Sequence, residues 1–138
     1  MKVSKLMTRD VHIADPNQSI QEVALQMAKL DAGSLPVGEK DRLVGMITDR
    51  DIVVRAVAEG LPSSTLVRDI MTYDVKYCFD DQEVNDVCRN MGEVQIRRLP
   101  VVNRDKKLVG ILSLGDIAVS SAASKAGNAL SHISQPTH

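Results

Sequence analysis

Two short stretches of this 138-residue chain carry the side chains best suited to hold a ligand: GMITDRDI, residues 45 to 52, and GILSLGDI, residues 110 to 117. In each, a hydroxyl residue (Thr48 or Ser113) stands three places before an aspartate (Asp51 or Asp116). That spacing fits the start of a helix, where the hydroxyl accepts from a backbone N–H and the carboxylate meets the positive end of the helix dipole. Such a cap is worth about 1 kcal/mol and needs no ligand. The same turn has a second use. A buried strand that ends in Gly and two apolar residues, then turns into a helix, leaves N–H groups facing outward for a phosphate. The hydroxyl adds a donor, and an aspartate one turn into the helix accepts from both hydroxyls of a ribose. Capping accounts for either copy alone, whereas recurrence of the whole pattern points to a nucleotide.

Catalytic chemistry has little to draw on. His12, His132 and His138 are isolated in sequence, so spacing assembles neither a nucleophile and base nor a metal cluster. Asp49 and Asp51 at a helix start are better explained by the dipole than by a metal. Cys78 and Cys88 lack CxxC spacing and neighbouring histidines, which argues against zinc and against a disulfide framework. The chain is expected to be no enzyme, to require no cofactor and to bind no metal.

A net charge of −1 and a pI near 6.3 give no general attraction to nucleic acid or to an anionic membrane. With no Trp, one Phe and two Tyr, there is little to stack on single-stranded bases. No apolar run reaches membrane-spanning length, and MKVSKLMTRD lacks the apolar core of a signal peptide, so a cytoplasmic location is expected.

The elements that must position these turns occur twice. A shift of 64 places lays VSKLMT (3 to 8) over VRDIMT (67 to 72) and SLPV (34 to 37) over RLPV (98 to 101). One inserted residue, in the turn GEKDR against NRDKK, then brings LVGMITDRDI over LVGILSLGDI. Ile20, Val23, Ala24 and Met27 fall on Val84, Val87, Cys88 and Met91, each set spaced as one apolar face of a helix. Cys78 falls on Ala14 and reads, with Cys88, as a small core residue. Each half reads β-α-β-β-α, an α+β pattern, and Ile52, Val53, Ala56 and Val57 are spaced for burial in the last helix of the first copy. The divisions are 1–62, 63–121 and a tail at 122–138, with breakers in EGLPSST between the repeats.

Met-Thr, a helix, LPV and then G-h-h-[T/S]-x-x-D-h (h, apolar), present in both halves from residue 3 to about 121, resemble tandem CBS domains, the Bateman module. The tail, rich in Ser, Ala and Gly, together with TDRDI and IRRLPV, further resembles small bacterial proteins consisting of a CBS pair alone. The resemblance implies a pseudo-twofold pair with two clefts between the repeats, open to adenine nucleotides or to S-adenosylmethionine as regulatory ligand. It places Asp51 and Asp116 on the ribose positions, and Thr48 and Ser113 toward ribose or phosphate. Thr8 and Ile13 are implied to serve the cleft of Ser113 and Asp116, Thr72 and Tyr77 that of Thr48 and Asp51, with Met46 and Ile111 completing the apolar sides. For the five other than Tyr77, ordinary core packing or capping is the competing account.

Arg97 and Arg98 precede LPV where the family contacts phosphate, whereas the first copy has Gly33 and Ser34 there. The second copy likewise has Leu114 and Gly115 in place of Asp49 and Arg50, so the two clefts are expected to bind unequally. Arg50 and Arg55 are read as surface ion pairs. The resemblance further implies a homodimer, with the helices at 49 to 59 and 114 to 121 as its faces, and signalling to an effector protein that the sequence does not name. The alternative is a structural interaction module whose clefts stay empty.

Overall fold

A computed structural model of the chain describes residues 1–93, 98–113 and 117, except for the side chains of residues 92 and 93. The chain divides into two compact units, one formed by His12–Val75 and the other by Met1–Val11 with Lys76–His138. Each unit takes its opening segment from the other sequence repeat.

In the His12–Val75 unit, helix α2 (Ile20–Leu30) starts at Ser19, whose hydroxyl accepts from the Glu22 N–H. The linker meets two more of the N–H groups that a helix start leaves open: Ile20 donates to the Thr65 carbonyl and Gln21 to that of Ser63. Strands β1 (Ser34–Glu39) and β2 (Arg42–Thr48) pair antiparallel. Their tight turn holds Lys40 and Asp41 at φ of 52° and 67°, the left-handed pair that a two-residue hairpin turn demands. β2 runs into α3 (Asp49–Asp51), continued by a π-helix over Ile52–Val57. The unit closes with the short helix α4 (Val67–Ile70).

The other unit repeats this plan, with α1 (Val3–Leu6) in the place of α4. Its helix α5 (Val84–Glu93) has its first N–H satisfied by the Met1 carbonyl, as Thr65 serves α2. Strands β3 (Cys78–Phe79), β4 (Arg98–Val102) and β5 (Leu108–Ser113) form one sheet in that order. The inserted residue lies in the β4–β5 turn, which Asn103 organises by accepting from the N–H groups of Asp105 and Lys107.

The two cores are copies of each other. Ala14, Ile20, Val23, Met27, Leu35, Val37 and Ile47 are buried in one, and Cys78, Val84, Val87, Met91, Leu99, Val101 and Leu112 in the other. The exchanged segments complete them, Val67 and Met71 in the first and Val3 and Met7 in the second. Cys88 is buried as expected, but Ala24, its counterpart, is exposed.

The glycine of each LVG is where the exchanged segment crosses the strand. A Cβ on Gly45 would stand 2.8 Å from both Met71 Sδ and the Thr72 carbonyl oxygen, and one on Gly110 would stand 2.6 Å from Met7 Sδ and 3.0 Å from the Thr8 carbonyl oxygen. Met-Thr and LVG, distant in each repeat, are thus two sides of one contact.

One helical face departs from the sequence pattern. Ala56 is fully buried and Ile52 packs on the core, but Val53 and Val57 are 57% and 64% exposed. The periodicity assumed α-helical turns, whereas the π-helix closes at i→i+5, with Ala58 donating to the Val53 carbonyl. A π turn sets residues 52, 53, 56 and 57 no further apart around the axis, so the helical period does not account for the exposure, and Val54 is exposed as well.

Candidate functional site

The turn from β2 into α3 is a full capping box. Thr48 Oγ1 accepts from the Asp51 N–H at 3.0 Å, and Asp51 Oδ2 accepts from the Thr48 N–H at 3.0 Å. Asp51 is only 13% exposed, and its other oxygen, Oδ1, lies 3.7 Å from Arg55 Nε. The cap uses the threonine hydroxyl as acceptor and leaves its proton to donate, and Oδ1 retains room to accept from a ligand hydroxyl.

The expected phosphate amides are not open. Asp49 N–H donates to the Gly33 carbonyl at 2.9 Å, Arg50 N–H to Asp49 Oδ1 at 2.8 Å, and Ile52 N–H to the Asp49 carbonyl. With Asp51 N–H on Thr48, the first N–H groups of this helix are engaged by the turn's own oxygens and by the Gly33 carbonyl. Both carboxylates of DRD accept from backbone N–H groups of this turn, Asp49 from Arg50 and Asp51 from Thr48.

Beside this turn stand two further residues implied by the resemblance. Met46 and Thr72 exchange two backbone hydrogen bonds, of 2.9 and 2.8 Å, so Thr72 of the second repeat lies over the strand that carries Thr48. The other unit repeats the arrangement, with Thr8 and Ile111 joined by bonds of 2.8 and 2.9 Å two places before Ser113. There Arg98, exposed at the start of β4, lies opposite Ser113 in the strand register, as Ser34 lies opposite Thr48. Asp116 and Arg97 lie outside the described residues, as do the segment 114 to 116, 118 to 121 of the helix expected beyond it, and the tail.

Ile13 belongs to the His12–Val75 unit, where it packs beside Gly38, and Tyr77 to the other, where it meets Phe79 edge-on at 5.7 Å. Arg55 does more than the sequence suggested. It pairs with Asp51 and also donates through Nη1 to the carbonyls of Ile70 at 3.2 Å and Met71 at 3.3 Å. The pair with Asp51 was legible as an i, i+4 spacing; the carbonyls were not, because nothing in the sequence brings α4 to residue 55.

Away from the turns, burial, with a smaller contribution from Asp80, pushes the Cys78 thiol up to about 12, so it stays protonated and inert. Arg104 grips Asp81 through two hydrogen bonds of 2.7 Å and holds that carboxyl below its ordinary range. Among the described residues, no group of three or more His, Cys, Asp or Glu is placed to hold a metal, and no helix is long and apolar enough to cross a membrane.

The duplicated strand-to-helix turn coincides with a known module: the model of the CBS domain matches residues 3–57 and again 67–122. The chain belongs to the CBS-domain family. It is 41% identical over 133 residues to the CBS domain-containing protein YhcV of Bacillus subtilis, covering 96% of this chain and 94% of YhcV. Solved CBS structures share the α+β fold. Hypoxic Response Protein I with two coordinated zinc ions aligns at a TM-score of 0.76 with 32% identity, covering 86% of this chain and 97% of that one. PAE2072 of Pyrobaculum aerophilum, complexed with AMP, aligns at 0.75 with 27% identity, covering 92% and 98%. The CBS pair of MJ0100, with 5-methylthioadenosine and S-adenosyl-L-methionine, aligns at 0.72 with 30% identity, covering 86% and 93%. This chain likewise carries two CBS domains.

Proposed function

We propose that this CBS pair, with repeats at 1–62 and 63–121, is a non-catalytic regulatory module of the cytoplasm. It binds an adenosine-containing ligand (AMP, ADP, ATP or S-adenosylmethionine) at its strand-to-helix turns and signals to a partner protein. The observation that carries the reading is the pairing of Thr48 and Asp51 with Thr72 and Met46 at one turn. Its echo in Thr8, Ile111 and Ser113 supports a second site completed by Asp116. The AMP complex of PAE2072 and the S-adenosylmethionine complex of MJ0100 support the ligand class. Arg97 and Arg98 give the second site the stronger claim on phosphate, and Ile13 and Tyr77 are proposed to wall the bases. The exposed Val53, Val54 and Val57 are proposed as a homodimer face.

Thermal unfolding with AMP, ADP, ATP and S-adenosylmethionine tests this reading on the wild type, Asp51→Ala and Asp116→Ala. A ligand at 100 times its dissociation constant adds about 2.7 kcal/mol of stability. The wild type should gain it, and each variant should lose the gain from its own site. If none of the four shifts the wild type, the reading falls. One observation favours a structural module with empty clefts instead: the complete capping box satisfies Thr48 and Asp51 without a ligand. That account expects Asp51→Ala to cost about 1 kcal/mol equally with and without ligand.

A further inference from the structure

Arg55 is half exposed, at 51% of its side chain, yet its guanidinium spans two parts of the His12–Val75 unit. Toward the turn it faces Asp51 Oδ1 at 3.7 Å, inside ion-pair range and beyond a hydrogen bond. Toward α4 it donates to the Ile70 and Met71 carbonyls, which that four-residue helix leaves without intrahelical partners. A cation donating to terminal carbonyls is a favourable helix end. The segment it holds is the one that lies on Gly45 and pairs through Thr72 with Met46, two residues before Thr48.

The long Asp51–Arg55 separation is informative. Asp51 Oδ2 already accepts from the Thr48 N–H, so Oδ1, the oxygen that faces Arg55, has the greater remaining capacity to accept from an incoming hydroxyl. Ligand and guanidinium then act on one oxygen, and the guanidinium is bonded to the α4 carbonyls. The second repeat has Ser120 at the matching place, so in sequence this link belongs to one copy alone.

We propose that Arg55 is a positioning residue that couples occupancy of Asp51 to the anchoring of Met71 and Thr72 on β2, so that one turn reports binding to the opening segment of the second repeat. The inference rests on the ligand reading above and adds to it a route by which binding is signalled. Coupling of this kind is reciprocal: whatever ligand does to the segment, loosening the segment does to ligand affinity.

Hydrogen exchange of the Met46 and Thr72 amides, in the intact chain with and without saturating AMP or S-adenosylmethionine, tests the link. In the wild type, ligand should change both rates by about fivefold or more. Arg55→Met should still bind ligand but lose that change, and Arg55→Lys, which keeps a charge and donors, should recover part of it. An undiminished change in Arg55→Met overturns the proposal. Should neither compound bind the wild type, the ligand reading fails, and the free protein still decides the anchoring. Arg55→Met must then exchange several-fold faster than wild type at Thr72, with Thr8 and Ile111 unaltered. Equal Thr72 rates would remove the anchoring as well.

Discussion

Substituting Gly45 by alanine tests the contact on which both cores are built. The new methyl would lie 2.8 Å from the Thr72 carbonyl oxygen and 2.8 Å from Met71 Sδ. The sulfur can swing aside, since methionine is unbranched and adaptable. The carbonyl cannot move alone, because it accepts from Met46 N–H while Thr72 N–H donates back to the Met46 carbonyl. Overpacking costs about 1–3 kcal/mol, and stretching one backbone bond adds about 0.5–1.5 kcal/mol. Stiffening the unfolded chain by removing a glycine returns about 0.4–1 kcal/mol. The expected net loss is therefore about 2–3 kcal/mol, a fall in Tm on the order of 10 °C for a chain of this size.

A graded series makes the test specific. Gly110→Ala should cost less, because its closest obstruction is the Met7 thioether at 2.6 Å and its backbone obstruction, the Thr8 carbonyl oxygen, stands at 3.0 Å. Gly38→Ala should stay within about 0.5 kcal/mol of wild type, because there the methyl meets only the movable end of Ile13, at 3.2 Å. Thermal unfolding ranks the three, and hydrogen exchange locates the damage: Met46 and Thr72 amides in Gly45→Ala, Thr8 and Ile111 amides in Gly110→Ala. If Gly45→Ala melts like Gly38→Ala, the exchanged segment does not lie on β2, and the site described above loses its second wall.

Asp49→Asn should raise AMP affinity relative to adenosine by about threefold at low salt, an advantage that shrinks as salt is added; isothermal titration measures both. Arg104→Gln should raise the titration midpoint of the Asp81 carboxyl, followed by NMR. Since Arg104 depresses that pKa in the folded state, its stabilisation is present above the unfolded carboxylate value near 4 and is lost as pH falls through the folded one. The Tm gap between wild type and Arg104→Gln should accordingly close on acidification from pH 7 to below about 3. Val57→Lys should convert the proposed homodimer to monomer in sedimentation without lowering Tm of the monomer, since Val57 is already solvent-facing.

Much of this architecture was legible in one sequence because duplication doubles every weak signal. Strand ends, the LPV and LVG pairings and the capping box follow from patterns that recur at a fixed offset. What local patterns do not contain is which repeat a segment joins. Met7 and Met71 read as the openings of their own halves, but they pack in the cores of the opposite ones, each against a glycine that both copies share and that therefore cannot signal the exchange. The exposure of Val53 and Val57 was hidden for a different reason. Apolar spacing marks a face to be covered without saying by what, and here Ile52 and Ala56 meet the core of their unit while Val53 and Val57 stay exposed.

The departures between the copies are not independent of each other. Asp49 Oδ2 stands 3.1 Å from where a Cβ on Gly33 would be, and Asp49 N–H is bonded to the Gly33 carbonyl. A side chain at position 33 must therefore contend with that carboxylate, and glycine avoids the conflict. In the second copy the matching pair is Arg97 with Leu114, a cation where the first has none and an apolar residue where the first has an anion. Exchanging one member alone would put a carboxylate against a bulky side chain, or leave the turn without its Asp49 hydrogen bond to Arg50 N–H. In the first turn Gly33 and Asp49 thus depend on each other, and both positions differ in the second copy. Gly33→Arg should be tolerated better with Asp49→Leu than without it, and additive losses in the double variant, measured by thermal unfolding, would show that the pairs do not communicate.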